Sequence, residues 1–321
     1  MRGFQAIVLA AGLGTRMRSK LPKVVHEICG KPMIMLVLDA LEAAGAERTF
    51  VVVGHLAELV EEIVGARAVC VLQAEQKGTG HAVMQAKDAL SAYEGRVVVA
   101  AGDAAYLTRS DLASLVNHHQ ETKASATLLS SILQDPFGYG RVVREASGRI
   151  RRIVEEKDCS PEEALISEVN SSVYCFEKRD LFNALSRITP DNVQGEYYLT
   201  DVIEVMIKEG LRVEAVVSEN PLAIGQDTKI LPFTVIQGKT VIGENCTIGP
   251  FARIIDSRVS DGASISNAVV IEAEVGEDVS VGPYAYLRTG TVLLEHSKVG
   301  TFVEVKKSTV GKGSKVSHQA Y

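Results

Sequence analysis

Isoleucine stands at positions 224, 230, 236, 242, 248 and 254, and neither a strand period of two nor a helical period of 3.6 produces that six-residue spacing. After irregular turns the interval returns at Val281, Leu287, Leu293, Val299 and Val305, with glycine directly after the aliphatic residue at Ile242, Ile248, Val281 and Val299. A hexapeptide repeat of this kind reads as a parallel β-helix, each coil built of three short flat faces and roughly eighteen residues. Residues 222–321 therefore predict a repeat domain of about five coils.

The chain before the repeat has another texture. Apolar runs at 6–10, 49–53, 68–72, 97–101, 126–133 and 213–217 read as strands, and 33–44, 80–89 and 200–208 read as helices. Strands alternating with helices predict an α/β domain over 1–221 with a doubly wound, mostly parallel sheet of the Rossmann-like kind. Its ligands would sit beyond the C-terminal ends of the strands.

With 321 residues, 46% of them hydrophobic and 23% charged, the chain is long enough for two such domains and too apolar for disorder. A net charge of −6 provides no basic field for nucleic acid, so any anion site must be local. No apolar run approaches a membrane span, and Met1-Arg-Gly-Phe4 enters strand sequence without a signal-peptide core, which predicts a cytoplasmic protein. The five cysteines, Cys29, Cys70, Cys159, Cys175 and Cys246, are scattered among apolar neighbours and show no Cys-x-x-Cys pair, as expected for reduced, small core residues.

The first strand runs into Leu9-Ala-Ala-Gly-Leu-Gly-Thr-Arg-Met17 and on through Arg18-Ser-Lys-Leu-Pro-Lys23. Small residues at Ala10, Ala11, Gly12 and Gly14 let the backbone approach a ligand and turn N–H groups towards phosphate oxygens, and Arg16 and Lys23 add fixed charge. The other reading is a purely structural glycine turn. The dinucleotide fingerprint fails because Met17 replaces its third glycine, and a Walker loop fails because no Gly-Lys-Ser/Thr follows.

Asp103 follows the fourth strand in Ala101-Gly-Asp103, where a carboxylate could hold Mg²⁺ whose shell is completed by phosphate and water, or could simply cap a turn. Gln73-Ala-Glu-Gln76-Lys-Gly78-Thr79-Gly80 follows the third strand. An amide has the donor and acceptor that suit a pyrimidine edge, although the same residues also make an ordinary polar loop.

The first stretch resembles the signature of the sugar-nucleotide pyrophosphorylases, Gly-x-Gly-Thr-Arg-Met with Pro-Lys downstream, every element of which stands here through Pro22-Lys23. Leu72 to Ala82 resembles the Leu-Gln-Ala-Glu-Gln and Gly-Thr-Gly-His-Ala of uridylyltransferases that make UDP-N-acetylglucosamine. With Gly138-Tyr-Gly140-Arg141, Val154-Glu155, Glu168-Val-Asn170 and Gln194-Gly-Glu-Tyr-Tyr-Leu-Thr-Asp201, the chain resembles the bacterial bifunctional N-acetylglucosamine-1-phosphate uridylyltransferase/glucosamine-1-phosphate acetyltransferase family.

The resemblance implies a transferase of UTP and N-acetylglucosamine-1-phosphate that serves cell-wall precursor synthesis with Mg²⁺ as cofactor. Leu9, Ala10, Ala11, Gly12 and Gly14 would cradle the nucleotide, with Gln73, Gly78 and Thr79 at uracil. Gly140, Glu155 and Asn170 would hold the sugar, Arg16 and Lys23 would face the phosphates, and Asp103 the metal. In the repeat domain it implies left-handed winding and a homotrimer, with Arg288 and Lys306 on a sugar phosphate, His318 as an acetyl-transfer base and Tyr321 against substrate. Outside this segment and the Leu72 to Ala82 match, the five other histidines, such as His26 and His55, read as merely solvated.

The sequence departs from the family in three places. Val217-Ser-Glu-Asn-Pro-Leu222 passes directly into Ala223-Ile-Gly225, where the family has an asparagine that is a second Mg²⁺ ligand and then a linker helix, and Asn220 is a weak surrogate. Residues 104–108 and 171–173 differ from the family's pocket wall. The sequence stops at Tyr321, where the family continues through further coils that contact acetyl-CoA. The expectation is an impaired uridylyltransferase without useful acetyl transfer. The alternatives are a sugar-nucleotide-binding scaffold without turnover, or a pyrophosphorylase for another sugar-1-phosphate.

Overall fold

The structure is a computed structural model that describes residues 3–12, 19, 21–28, 30–133, 136–218, 223–224 (backbone only) and 228–320. Contacts divide the chain into two compact units, Met1–His26 with Pro32–Ser218, and Glu27–Lys31 with Glu219–Tyr321.

Up to residue 218 the chain runs β1 (Phe4–Ala10), β2 (Glu27–Ile28), β3 (Lys31–Pro32), α1 (Met33–Ala43), β4 (Ala46–Val53), α2 (Ala57–Val64), β5 (Val69–Leu72), α3 (Thr79–Gln85) and β6 (Arg96–Ala101). It continues through α4 (Arg109–Thr122), β7 (Ala126–Ile132), β8 (Arg141–Arg144), β9 (Ile150–Val154), β10 (Glu168–Glu177), α5 (Lys178–Leu185), α6 (Asp201–Lys208) and β11 (Val213–Val217). β2 and β3 form a separate two-stranded sheet. The main sheet has the order β11-β7-β10-β6-β1-β4-β5, with β8 paired to β10 and β9 to β8. Its pairs are parallel except where β10 meets β6, β7 and β8, and where β8 meets β9.

The apolar runs of β1, β4, β6 and β7 are buried on both faces, which is why they lack strict alternation, while the edge strands β5 and β11 are partly exposed. β1 sends Ala6, Val8 and Ala10 to one core with Ile34, Val37 and Leu41 of α1 and Leu112 and Leu115 of α4. Ile7 goes to the other core with Val83 of α3, Leu181 of α5 and Val202 and Ile203 of α6. Helices on both faces of a mostly parallel sheet are the three-layer arrangement that the alternation predicts.

In the second unit, two- to four-residue strands form three parallel sheets, and each strand pairs with the third one after it. This pairing is consistent with a parallel β-helix. The residues at the six-residue positions point inward, from Ile242, Ile248 and Ile254 to Leu287, Leu293 and Val299, each about 1% exposed or less. A small residue two positions earlier fills the corner: Cys246 before Ile248, Ala252 before Ile254, Ala263 before Ile265 and Ala285 before Leu287. The six-residue interval lapses after Ile254 as expected, but the inward stack does not: Val259, Ile265, Val270 and Val275 carry it through that region, with three intervals one residue shorter.

Cys175 and Cys246 are buried and Cys70 and Cys159 half-buried, all as free thiols, while Cys29 lies outside the described residues. Among the described residues no helix is long and apolar enough to cross a membrane.

Candidate active site

The parallel strands end in step: Leu9 lies opposite Ala101, Ala10 opposite Val53, and Val53 opposite Leu72. The segments that follow β1, β4, β5 and β6 therefore emerge on one edge of the sheet, where an α/β fold presents ligand-binding groups. Gly102 N donates to Leu9 O at 2.9 Å, and a Cβ at Gly102 would stand 2.8 Å from that oxygen. Glycine is thus required before Asp103. On the far side, Thr108 accepts from Asp111 N at 3.1 Å and its own N–H donates to Asp111 Oδ2 at 3.2 Å, a capping box that fixes the start of α4.

The described part of the glycine stretch, Leu9, Ala10, Ala11 and Gly12, leaves β1 beside this turn, while Gly14 and Arg16 lie outside the described residues. Lys23 returns to the same place, with Nζ 2.6 Å from Asp103 Oδ2. Among the described residues no group of three His, Cys, Asp or Glu side chains could hold a metal ion. A single carboxylate such as Asp103 is the kind of donor that suits a hard cation completing its shell with other oxygens and water. Asn220 lies outside the described residues.

At the end of β5, Gln73 is only 3% exposed. Its Nε2 donates to Gly78 O at 3.2 Å and lies 2.9 Å from His81 Nδ1. Gly78 has φ +103°, and a Cβ there would be 2.6 Å from Tyr197 O. The loop is pinned by Gly80 N donating to Tyr197 O at 2.7 Å, Tyr197 N to Lys77 O at 2.8 Å, and Leu199 N to Thr79 Oγ1 at 2.9 Å. Thr79 is thereby a fastening of the 194–201 segment as well as the first residue of α3.

A third group gathers Gly140, Glu155 and Asn170. Asn170 N donates to Gly140 O at 2.8 Å, and a Cβ at Gly140 would lie 3.6 Å from Glu155 Oε2. Asn170 is buried. Its Nδ2 donates to Tyr174 OH at 2.6 Å and its Oδ1 accepts from Ser172 N at 3.2 Å. Burial, with the Glu155 charge second, pushes the Tyr174 phenol up, so it stays protonated. Thr200 Oγ1 donates to Glu155 Oε1 at 3.0 Å, and the adjacent Asp201 is pushed up to about 6, by burial first and then by Glu204 and Glu155.

The Lys23–Asp103 pair, the Gln73 loop and the Gly140–Glu155–Asn170 group thus follow strand ends of one sheet. Sequence reasoning missed the supports of this site: His81 and Tyr174. His81 stands in the quoted Gly-Thr-Gly-His-Ala run, and Tyr174 falls four residues after Asn170 on one strand. His119 is a correction. It was expected to be solvated, but it is buried, with Nδ1 2.9 Å from Thr127 Oγ1.

In the second unit Leu287 and Val305 are paired, and Arg288 N donates to Val305 O at 2.9 Å, so Arg288 and Lys306 leave equivalent strands of successive coils. Arg288 is ion-paired to Glu304 at 2.7 Å. His318 is exposed at the end of the strand Lys315–His318, opposite Thr301, while Tyr321 lies outside the described residues.

The class is that of the nucleotidyltransferases: the Nucleotidyl transferase family matches residues 5–228, which hold all of the main sheet but Phe4. The GMPPB C-terminal domain family matches residues 218–321. The chain is 43% identical to the "Bifunctional protein GlmU" of Heliobacterium modesticaldum and 44% identical to that of Pelotomaculum thermopropionicum, in each case over 98% of this chain and 79% of the relative. The chain belongs to this bifunctional GlmU family, and it is a nucleotidyltransferase enzyme. The alignment spans 361 positions against a chain of 321 residues, so at least 40 positions of the relative have no counterpart here. A solved structure of UDP-glucose pyrophosphorylase complexed with UDP-glucose shares the fold, with a TM-score of 0.56 at 20% identity over 65% of this chain and 88% of that one.

Proposed function

We propose that the enzyme transfers a uridylyl group from UTP to N-acetylglucosamine-1-phosphate, giving UDP-N-acetylglucosamine and pyrophosphate for cell-wall precursor synthesis in the cytoplasm. A phosphate oxygen of the sugar-1-phosphate bonds to the α-phosphorus of UTP while the bond from that phosphorus to the bridging oxygen breaks, and pyrophosphate leaves with that oxygen. No protein nucleophile is needed, because positioning and charge neutralisation carry such a transfer.

The observation that supports this reading most is the Lys23–Asp103 pair at the end of β6, one cation and one carboxylate beside the glycine turn. Lys23 and Arg16 would neutralise phosphate oxygens. Asp103 would hold Mg²⁺, which when bound supplies charge neutralisation of the triphosphate. Leu9, Ala10, Ala11, Gly12 and Gly14 would lie along the nucleotide, Gln73, Gly78 and Thr79 at uracil, and Gly140, Glu155 and Asn170 at the sugar. Arg16→Ala is expected to weaken UTP binding by about 1.5–3 kcal/mol, the value of a charged hydrogen bond.

In the coil unit, Arg288, Lys306, His318 and Tyr321 are proposed as the sugar-phosphate, base and substrate contacts, on a left-handed helix. A homotrimer is proposed through this unit, supported by exposed stacked aromatic pairs, Phe233 with Phe251 at 4.9 Å and Tyr284 with Phe302 at 5.3 Å between ring centroids. Sedimentation equilibrium tests it: a threefold mass is expected, and a monomer at micromolar concentration would refute it.

The substrate is tested by pyrophosphate release from UTP with a panel of sugar-1-phosphates. N-acetylglucosamine-1-phosphate is expected to give the highest kcat/KM. Preference for glucose-1-phosphate would replace this substrate with the other one, and nucleotide binding without any release would mark a scaffold.

A further inference from the structure

We propose that Tyr106 is a positioning residue for the sugar phosphate: its phenol ties the turn that carries Asp103 to the bulge that follows Asn170, and so fixes the span between Asp103 and the sugar contacts. The proposal rests on the readings of Asp103 and Asn170 given above.

β10 leaves its ladders directly after Asn170. Its pairing with β7 stops at Asn170 opposite Ser130 and resumes at Tyr174 opposite Leu128, so three residues of β10 span the place of one in β7. Val173 is paired with Ala100 of β6, but Ser171 and Ser172 have no register partner in β6, β7 or β8. Ser171 is only 5% exposed, and a carbonyl buried outside a ladder needs another donor. Tyr106 supplies it: its OH donates to Ser171 O at 2.8 Å. Burial first, then Tyr139 and Asp103, push that phenol up, so it keeps the proton it donates.

Both ends of this bond are held. On the Asp103 side, Ala104 N donates to Ala101 O at 3.1 Å, Ala105 N to Asp103 O at 2.8 Å and Leu107 N to Ala104 O at 3.0 Å, and the Thr108 capping box follows. On the bulge side, Ser172 N donates to Asn170 Oδ1 at 3.2 Å, while Asn170 Nδ2 donates to Tyr174 OH at 2.6 Å. A backbone N–H can only donate, so the Ser172 bond settles which end of the Asn170 amide faces the bulge. A shift of Ser171 and Ser172 is therefore passed to the Asn170 side chain.

Tyr106 and Ser171 stand in the two stretches, 104–108 and 171–173, in which this sequence departs from the family, and the bond joins the two departures. Removing the phenolic oxygen leaves the turn's own hydrogen bonds in place, so Asp103 stays where it is while the bulge, and Asn170 with it, is released. A contact displaced in this way weakens binding of the sugar and spares that of the nucleotide.

The test measures pyrophosphate release with Mg²⁺ by the wild type, Tyr106→Phe, Asn170→Ala and the double variant. KM is taken separately for UTP and for N-acetylglucosamine-1-phosphate, with melting temperatures as the check on folding. Tyr106→Phe is expected to raise the KM for the sugar phosphate roughly tenfold while that for UTP stays within about twofold. In the Asn170→Ala background the same change is expected to add less than about twofold, because both act at one contact. An unchanged sugar KM in Tyr106→Phe, an equal rise in both KM values, or the full effect on top of Asn170→Ala would each overturn the proposal. Should Tyr106→Phe fail to fold, Tyr106→Met, whose flexible chain adapts to the space, is read in its place by the same criteria. An Asn170→Ala variant with the wild-type sugar KM would instead remove the sugar reading of Asn170, and this proposal with it.

Discussion

Lys23 Nζ lies 2.6 Å from Asp103 Oδ2, so the cation after the glycine turn and the carboxylate after β6 neutralise each other directly. Both are partly exposed, and such a pair is worth only about 0–1 kcal/mol of stability. Its value is therefore expected in catalysis. Lys23→Ala should leave the melting temperature nearly unchanged and cut kcat/KM for UTP by roughly ten- to a hundredfold, the loss of one charged hydrogen bond. Parallel kinetics and thermal melts check this, and a destabilised but fully active variant would contradict it.

His119 makes stability depend on acid pH. Burial first, then the charges of Arg96 and His118, push its pKa down to about 4 from 6.5. The unfolded chain binds the proton more readily, so stability is full above about pH 6.5 and is lost as the pH falls towards 4. The loss amounts to up to about 3 kcal/mol. Urea midpoints at pH 7 and pH 4.5 should fall for the wild type and much less for His119→Gln; an equal fall in both would refute this assignment.

Gly78→Ala should disturb the loop that carries the proposed uracil contact. The new Cβ would stand 2.6 Å from the backbone oxygen of Tyr197 at a φ of +103°. Strain at such a position costs about 1–3 kcal/mol. Tighter amide exchange protection in residues 73–80 of the variant would contradict the expectation, which is faster exchange there and weaker UTP binding by calorimetry.

Ile265 is wholly buried in the coil stack. Ile265→Ala should destabilise the second unit by about 2–5 kcal/mol, the cost of removing a buried aliphatic side chain. Denaturant unfolding followed at a probe in the coil unit measures it, and a change below about 1 kcal/mol would mean that the stack is looser than its burial implies.

The repeat was legible because one inward position recurs every six residues, and the chemistry of that position survives the three shortened intervals that hide Val259, Val270 and Val275 from a strict count. The parallel strands were legible as apolar runs ending in glycine or small residues, as at Ala101-Gly-Asp103. β10 was not. Ser171 and Ser172 interrupt its apolar pattern, the pairing slips between Asn170 and Tyr174, and Ser172 has φ +56°. In the site, Asp103 and Lys23 were readable from residue type and position, and the structure brings them into contact. The roles of His81 and Tyr174 were not readable, because both act through contacts of side-chain ends that spacing alone cannot reveal.

The central claim is tested most directly by following UDP-N-acetylglucosamine formation from UTP and N-acetylglucosamine-1-phosphate by chromatography, for the wild type and Asp103→Ala, with Mg²⁺ and with the metal chelated. The expected result is product only from the wild type with Mg²⁺, in step with pyrophosphate, and loss of at least about a hundredfold in Asp103→Ala. Product formed at an equal rate by Asp103→Ala, or by the wild type without metal, would contradict the account.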